Sequence, residues 1–170
     1  AIIRQEFLHM IHRTAEGQHL DLSWIDQGRF DVSEAEYLEM VTLKTAHYTV
    51  VSPLRLGAFC AGITPDERFT PAGKDLGVAF QIRDDVLNLS ESEGYGKEFA
   101  GDLYEAKRTL ILSHLFSKIT ATEKAELVQR LATARQDKTE ADIHFVLEKI
   151  NHYRSLLYAQ QIAEEKAKRG

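Results

Sequence analysis

The sequence predicts an all-α fold, and three observations carry that expectation. Apolar residues recur at three- and four-residue spacings along most of the chain, no segment sustains period-two alternation, and only three prolines occur in 170 residues. An apolar fraction of 44% is enough for a sizeable core. No internal repeat or linker divides the chain, so residues 1–170 read as one domain or part of one.

Ile3, Phe7, Leu8 and Ile11 set the stripe of a first helix over residues 1–20, and Asp21 to Asp31, with Gly28 inside it, is the expected break. Ser33, with Glu36 three residues on, forms a capping box for a second helix. That helix runs to about Ala61 through Leu38, Val41, Tyr48, Val51 and Leu56, with a kink expected at Pro53, which lacks a donor and crowds the preceding turn. Gly62 to Pro65 is a turn, and a third helix covers Glu67 to Leu89, with Pro71 in its first turn or delaying its start. Ser90 to Gly101 is the longest polar loop and carries Gly94, Gly96 and Gly101. Asp102 and Glu105 read as a second capping box for a helix continuing through Leu110, Ile111, Leu112, Leu115 and Phe116. Thr120 or Thr122 opens a short helix with Leu127, Val128 and Leu131. One last helix, from about Thr139 to Lys168, carries Ile143, Val146, Leu147, Ile150, Leu156, Leu157 and Ile162.

The bulk numbers exclude some functions. A formal charge of −5 with acids and bases interspersed leaves no basic face for a general nucleic-acid binder. Cys60 is the only cysteine, so no internal disulfide forms, which fits a reducing cytoplasm. No apolar run approaches the ~20 residues of a membrane span, and no signal peptide is visible. The first residue is Ala1 rather than methionine and the helical pattern is already running, so the chain is expected to begin inside a larger protein.

The chemistry concentrates in Phe80 to Leu89, where Asp84 and Asp85 interrupt an apolar helical run. Burying an ionised carboxylate is costly without a partner. On a helix Gln81, Asp84, Asp85 and Asn88 share a face, so one or two carboxylates could hold a divalent metal whose other ligands are phosphate oxygens and water. Taken alone, the pair reads equally as a solvated acid pair beside Arg83. The lysines shift that balance. Lys107 falls in the first two turns of its expected helix, where a cation is unfavourable by ~0.3–1 kcal/mol unless an anion binds there. Lys97 sits in the glycine-bearing loop, which could close over the same anion. Asp102 and Glu105 read as caps rather than catalytic groups.

The span from Phe80 to Thr109 resembles the trans-isoprenyl diphosphate synthases, or polyprenyl synthetases. Their second aspartate-rich motif is F-Q-x-x-D-D-x-x-D, followed by G-K-x-x-G-x-D-x-x-E-G-K-x-T. Here the segments read F-Q-I-R-D-D-V-L-N and G-K-E-F-A-G-D-L-Y-E-A-K-R-T, the latter taken with one extra residue between Lys97 and Gly101. Upstream, Gly17-Gln18-His19-Leu20-Asp21 is similar to the family's G-Q-x-x-D, and Lys44-Thr45-Ala46 to its K-T-A. The resemblance covers nearly the whole chain but only the C-terminal half of a typical member.

The resemblance implies a helical bundle of the isoprenoid synthase type, residues 1–170 being the C-terminal portion of one domain, and head-to-tail prenyl transfer between isopentenyl diphosphate and an allylic diphosphate. It implies magnesium, or manganese, held by Asp84 and by Asp85 directly or through its waters. Lys44 and Lys97 would grip the allylic diphosphate, with Lys107 more loosely involved. Thr45 and Gln81 would line the pocket of the allylic cation. Gln18 would face the site or make an interhelical hydrogen bond. His12, His19 and His47 have no motif role. A homodimer is also implied. Three departures stand out: Asn88 replaces the third acid, Ala106 replaces a glycine, and D-D-x-x-D, the first aspartate-rich motif, occurs nowhere. The missing half is therefore expected upstream, cleaved off or on a partner chain; the alternative is a non-catalytic helical subunit or fragment that partners a complete synthase. Asn88 and F-Q-I-R-D-D resemble the geranylgeranyl diphosphate synthases, which favours a C20 product.

Overall fold

The computed structural model describes residues 1–90 and 98–170. Among them there is no β-strand, and nine α-helices form the fold: α1 (Ile2–Asp26), α2 (Glu34–Val41), α3 (Ser52–Cys60), α4 (Phe69–Asn88), α5 (Gly101–Tyr104), α6 (Leu110–Lys118), α7 (Ala121–Ala132), α8 (Glu140–His152) and α9 (Ser155–Arg169). The all-α expectation holds. A π-helix, Thr42–Val51, joins α2 to α3.

This π segment is the spine of the molecule. α1 packs on one side of it and α4 on the other, and α9 lies along α4. Two glycines permit the close approach: a Cβ at Gly17 would stand 2.3 Å from the Lys44 nitrogen, and one at Gly77 would stand 2.4 Å from the Ala46 Cα. The predicted kink at Pro53 is replaced by the wider register, in which the Ser52 N–H reaches back to the His47 carbonyl just before the proline. Tyr37, Ile82, Leu103, Leu110, Ile111, Leu115, Leu127, Leu131 and Ile150 form the sealed centre of the core.

Three element boundaries differ from expectation. α1 runs on through Asp21 to Asp26, because Leu20 and the buried Trp24 continue its apolar face. The helix expected from Asp102 is two helices. α5 is a single turn with Ala100, not Asp102, at its N-cap and no side-chain cap; Ala106 at φ 53° ends the turn, and Thr109 caps α6. The last expected helix also divides, at Arg154 with φ 55°, which lets α9 turn back onto α4. The expected capping box at Ser33 is present, and Thr120 with Glu123 and Thr139 with Asp142 form two more.

On α1, Ile3, Phe7 and Ile11 recur every fourth residue and remain 44%, 48% and 47% exposed. Phe80, on α4, is 57% exposed. No helix of the described residues is long and apolar enough to cross a membrane.

Candidate active site

Four segments distant in sequence meet beside the π segment. A cavity of about 30 Å³ is lined by residues that include Asp21 of α1, Tyr37 of α2, Lys44 and Thr45 of the π segment, Gln81 and Asp85 of α4, and Lys107 and Arg108 ahead of α6. Its volume is about the share of one water molecule. The Lys44 and Lys107 side chains that help line it remain 29% and 41% exposed.

A hydrogen-bond chain crosses the floor. Tyr37 Oη donates to Asp85 Oδ2 at 2.7 Å, Gln81 Nε2 donates to Asp85 Oδ1 at 2.9 Å, and Thr45 Oγ1 donates to Gln81 Oε1 at 2.9 Å. Both Asp85 oxygens are therefore engaged, and the Gln81 amide is fixed in one orientation. Burial pushes the Asp85 carboxyl up to about 7; the bonds from Gln81 and Tyr37 oppose that shift, and the neighbouring Asp102 and Asp84 add to it. The same burial, with Asp85 beside it, holds the Tyr37 hydroxyl well above the usual range.

Two lysine–carboxylate pairs flank this floor. Lys44 Nζ donates to Asp21 Oδ2 at 2.5 Å, and Lys107 Nζ donates to Asp102 Oδ1 at 2.6 Å with Glu105 at 3.2 Å. Burial would lower the Lys107 pKa, but its bonds to Asp102 and Glu105 raise it. Lys107 lies in the link before α6, so its placement rests on these partners and not on the first turn of a helix. Arg108 is buried behind it, with its guanidinium 4.1 Å above the Phe30 ring and donating to the carbonyls of Arg29, Ala106 and Trp24.

The sequence model of the family described as Polyprenyl synthetase matches residues 2–150 of this chain. The chain belongs to that family. It is 33% identical over 162 residues to a geranylgeranyl diphosphate synthase of Saccharolobus solfataricus, covering 94% of this chain and 47% of that protein. Among solved structures, it superposes on a polyprenyl synthase from Caulobacter crescentus complexed with calcium and isoprenyl diphosphate, with TM-score 0.84 and 29% identity, covering 99% of this chain and 50% of that one. A geranylgeranyl pyrophosphate synthase from Corynebacterium glutamicum complexed with isoprenyl diphosphate and magnesium gives TM-score 0.85 and 27% identity, covering 98% and 47%. The fold is that of the isoprenoid synthases. The chain spans about half the length of the curated relatives it matches.

Against the polyprenyl synthetase motifs, the structure brings Lys44, Thr45, Gln81, Asp85 and Lys107 together at one cavity. Asp84 is half-buried on the adjacent face of α4. Lys97 lies outside the described residues. Gln18 stands one turn before Asp21 but lines no part of the cavity, and its side chain makes no hydrogen bond among the described residues, so neither the site-facing role nor the interhelical bond is found. Asn88 is buried, and its Oδ1 accepts the Asp102 N–H at 3.0 Å, so it fastens the start of the lysine-bearing arm. Ala100, and not Gly101, adopts the left-handed conformation, at φ 56°. The spacing Lys97-x-x-Ala100-x-Asp102 therefore fits the motif without an extra residue, and the motif's second and third glycines, at 100 and 106, are alanine here.

Sequence reasoning gave Asp21 no role, although it lies one turn beyond Gly17 on the face that packs against Lys44. It missed Tyr37 because one tyrosine in an apolar stripe carries no mark of its partner. Asp21, Asp84, Asp85 and Asp102 supply hard oxygen donors suited to magnesium. No three acidic, histidine or cysteine side chains among the described residues converge as a closed metal cage. The donors thus fit an ion that shares its coordination with phosphate and water.

Proposed function

We propose that this chain is the C-terminal portion of a single helical prenyltransferase domain that condenses isopentenyl diphosphate with an allylic diphosphate to give a longer trans-polyprenyl diphosphate, of geranylgeranyl length. The observation that carries this reading is the convergence of Lys44, Thr45, Gln81, Asp85 and Lys107 on one cavity from segments matching the family's motifs in order.

Asp84 would hold magnesium directly, with Asp85 behind it and its oxygens committed to Tyr37 and Gln81. The bound ion would neutralise the diphosphate and make it a better leaving group. Lys44 and Lys107, with Lys97, would bind the diphosphate and stabilise charge gathering on it as the allylic C–O bond breaks. Thr45 and Gln81, with fixed polar atoms, would wall the pocket in which the isopentenyl double bond attacks the allylic carbon. The proton lost in that step would pass to the departing diphosphate. The exposed stripe Ile3, Phe7 and Ile11 and the exposed Phe80 support a covering segment, as the half-length match would require. A homodimer accompanies this reading through the family resemblance, and the single cysteine, Cys60, fits a reducing cytoplasm.

The second reading, a non-catalytic helical subunit or fragment that partners a complete synthase, is favoured by the absence of D-D-x-x-D and by the neutral Asn88. Intact mass under denaturing conditions followed by a magnesium-dependent prenyl-transfer assay separates the two. A parent heavier than 19.3 kDa or a second polypeptide, with turnover, supports the enzyme; a single 19.3 kDa species without turnover supports the subunit. In the complete enzyme Asp84→Ala is expected to lower kcat about a hundredfold or more, and near-normal turnover would remove Asp84 from the mechanism.

A further inference from the structure

The arm from Gly101 to Thr109 carries Lys107, paired with Asp102, to the cavity, yet little of its path is locally preferred. Ala100 and Ala106 both sit in the left-handed region, which disfavours any residue with a Cβ. α5 is one turn long and leaves end carbonyls to be satisfied from elsewhere. Asn88 fixes the start of the arm through the Asp102 N–H, and Thr109 fixes its end as the cap of α6.

The middle is held by Lys138, which lies between the short 3₁₀ turn Arg135–Asp137 and α8. Its side chain is buried, and Nζ donates to the carbonyls of Tyr104 at 2.7 Å, Leu103 at 3.1 Å and Leu131 at 3.1 Å. All three ammonium donors are spent on backbone. Among the described residues no carboxylate pairs with Lys138, and burial together with the nearby Arg108 depresses its pKa. Burying an unpaired ammonium is expensive, so its three bonds must do structural work that a surface lysine would not. Lys138 lines no part of the site cavity.

We propose that Lys138 is a positioning residue for the diphosphate-facing arm: by tying the Leu103 and Tyr104 carbonyls to the Leu131 carbonyl at the end of α7, it sets where Lys107 and Asp102 stand. The inference rests on the diphosphate reading of the site.

The test uses the full-length protein carrying Lys138→Met or Lys138→Arg. Lys149→Met, which removes the Lys149–Glu123 pair between α7 and α8, is the stability control. Affinity for inorganic diphosphate with magnesium is measured by calorimetry, and amide hydrogen exchange across residues 103–109 is followed in the same samples without ligand. Lys138→Met is expected to weaken diphosphate binding about tenfold or more, as losing a buried bond to the arm would. It is expected to speed exchange across the arm by about the same factor, while Lys149→Met moves neither. If Lys138→Met does not fold, Lys138→Arg decides: it keeps the charge but not the three-way contact, so weakening of roughly three- to tenfold carries the inference. Wild-type affinity in either folded variant, even with faster exchange, makes Lys138 a structural staple only and overturns the proposal. If wild type binds no diphosphate, the diphosphate reading fails and this inference with it. If Lys44→Ala weakens binding and the Lys138 variants do not, only this inference fails.

Discussion

Substituting alanine for Gly77 should separate α4 from the π segment. The added Cβ would stand 2.4 Å from the Ala46 Cα and 2.5 Å from its Cβ, whereas ordinary contact begins at 3.4 Å. The obstructing atoms include backbone in the middle of a helix, so no rotamer change relieves the overlap, and the elements must part by about 1 Å. Overpacking of this kind costs about 1–3 kcal/mol. Loosened contacts along α4 add to that, and the helix propensity gained on replacing glycine returns about 1 kcal/mol. A net loss of about 1–2 kcal/mol follows. Urea unfolding monitored by circular dichroism measures it, with Gly57→Ala as the control: Gly57 is helical and exposed, and a Cβ there would meet nothing within 4 Å. That control should gain about 0.5–1 kcal/mol from propensity alone. If Gly77→Ala lies within about 0.5 kcal/mol of wild type, the clasp is not the constraint described here.

The other predictions concern charge and backbone. His47 is buried and its pKa is lowered to about 4, first by burial, then by Lys74, His9 and Arg13, with Glu6 opposing. Its folded pKa lies below its unfolded value near 6.5, so the unfolded chain binds more protons between the two, and stability contributed at pH 7 is lost as pH falls through that window. His47 should make the protein about 2 kcal/mol less stable at pH 5 than at pH 7; urea midpoints that fall just as far in His47→Phe would contradict this. Arg154→Gly relieves an exposed left-handed residue and should raise stability by about 0.5 kcal/mol, a gain that thermal unfolding would reveal and a loss would refute. Asn88→Asp keeps the acceptor for the Asp102 N–H but buries another charge beside Asp85. It should cost about 3–5 kcal/mol without metal, as an uncompensated buried charge does, and magnesium should restore part of it; equal stability with and without the ion would argue against a metal near α4.

The all-helical fold was legible because its signals are local. Ser33 with Glu36 marks a helix start within four residues, and the period of apolar side chains does the rest. The breaks at Ala106 and Arg154 were not legible, because left-handed turns usually announce themselves with glycine and neither does here. Asp21 read as the start of a loop because a lone carboxylate in an apolar stripe looks like a terminus; only the Lys44 ammonium from the neighbouring element explains it inside α1. Motif order gathered most of the site, whereas Tyr37 and Lys138 act through partners 48 and 34–35 residues away, or through backbone carbonyls that carry no sequence signature.

The two lysine–carboxylate pairs give the resting site a logic of its own. A diphosphate arriving alone would draw Lys44 and Lys107 outward and strand Asp21 and Asp102 as carboxylates without cations. A divalent ion arriving alone would claim the carboxylates and strand the ammonium groups. On the proposed reading, each lysine and each aspartate could exchange its partner for another of the same sign only when ion and diphosphate come together, so the site would respond to the pair and not to either half alone.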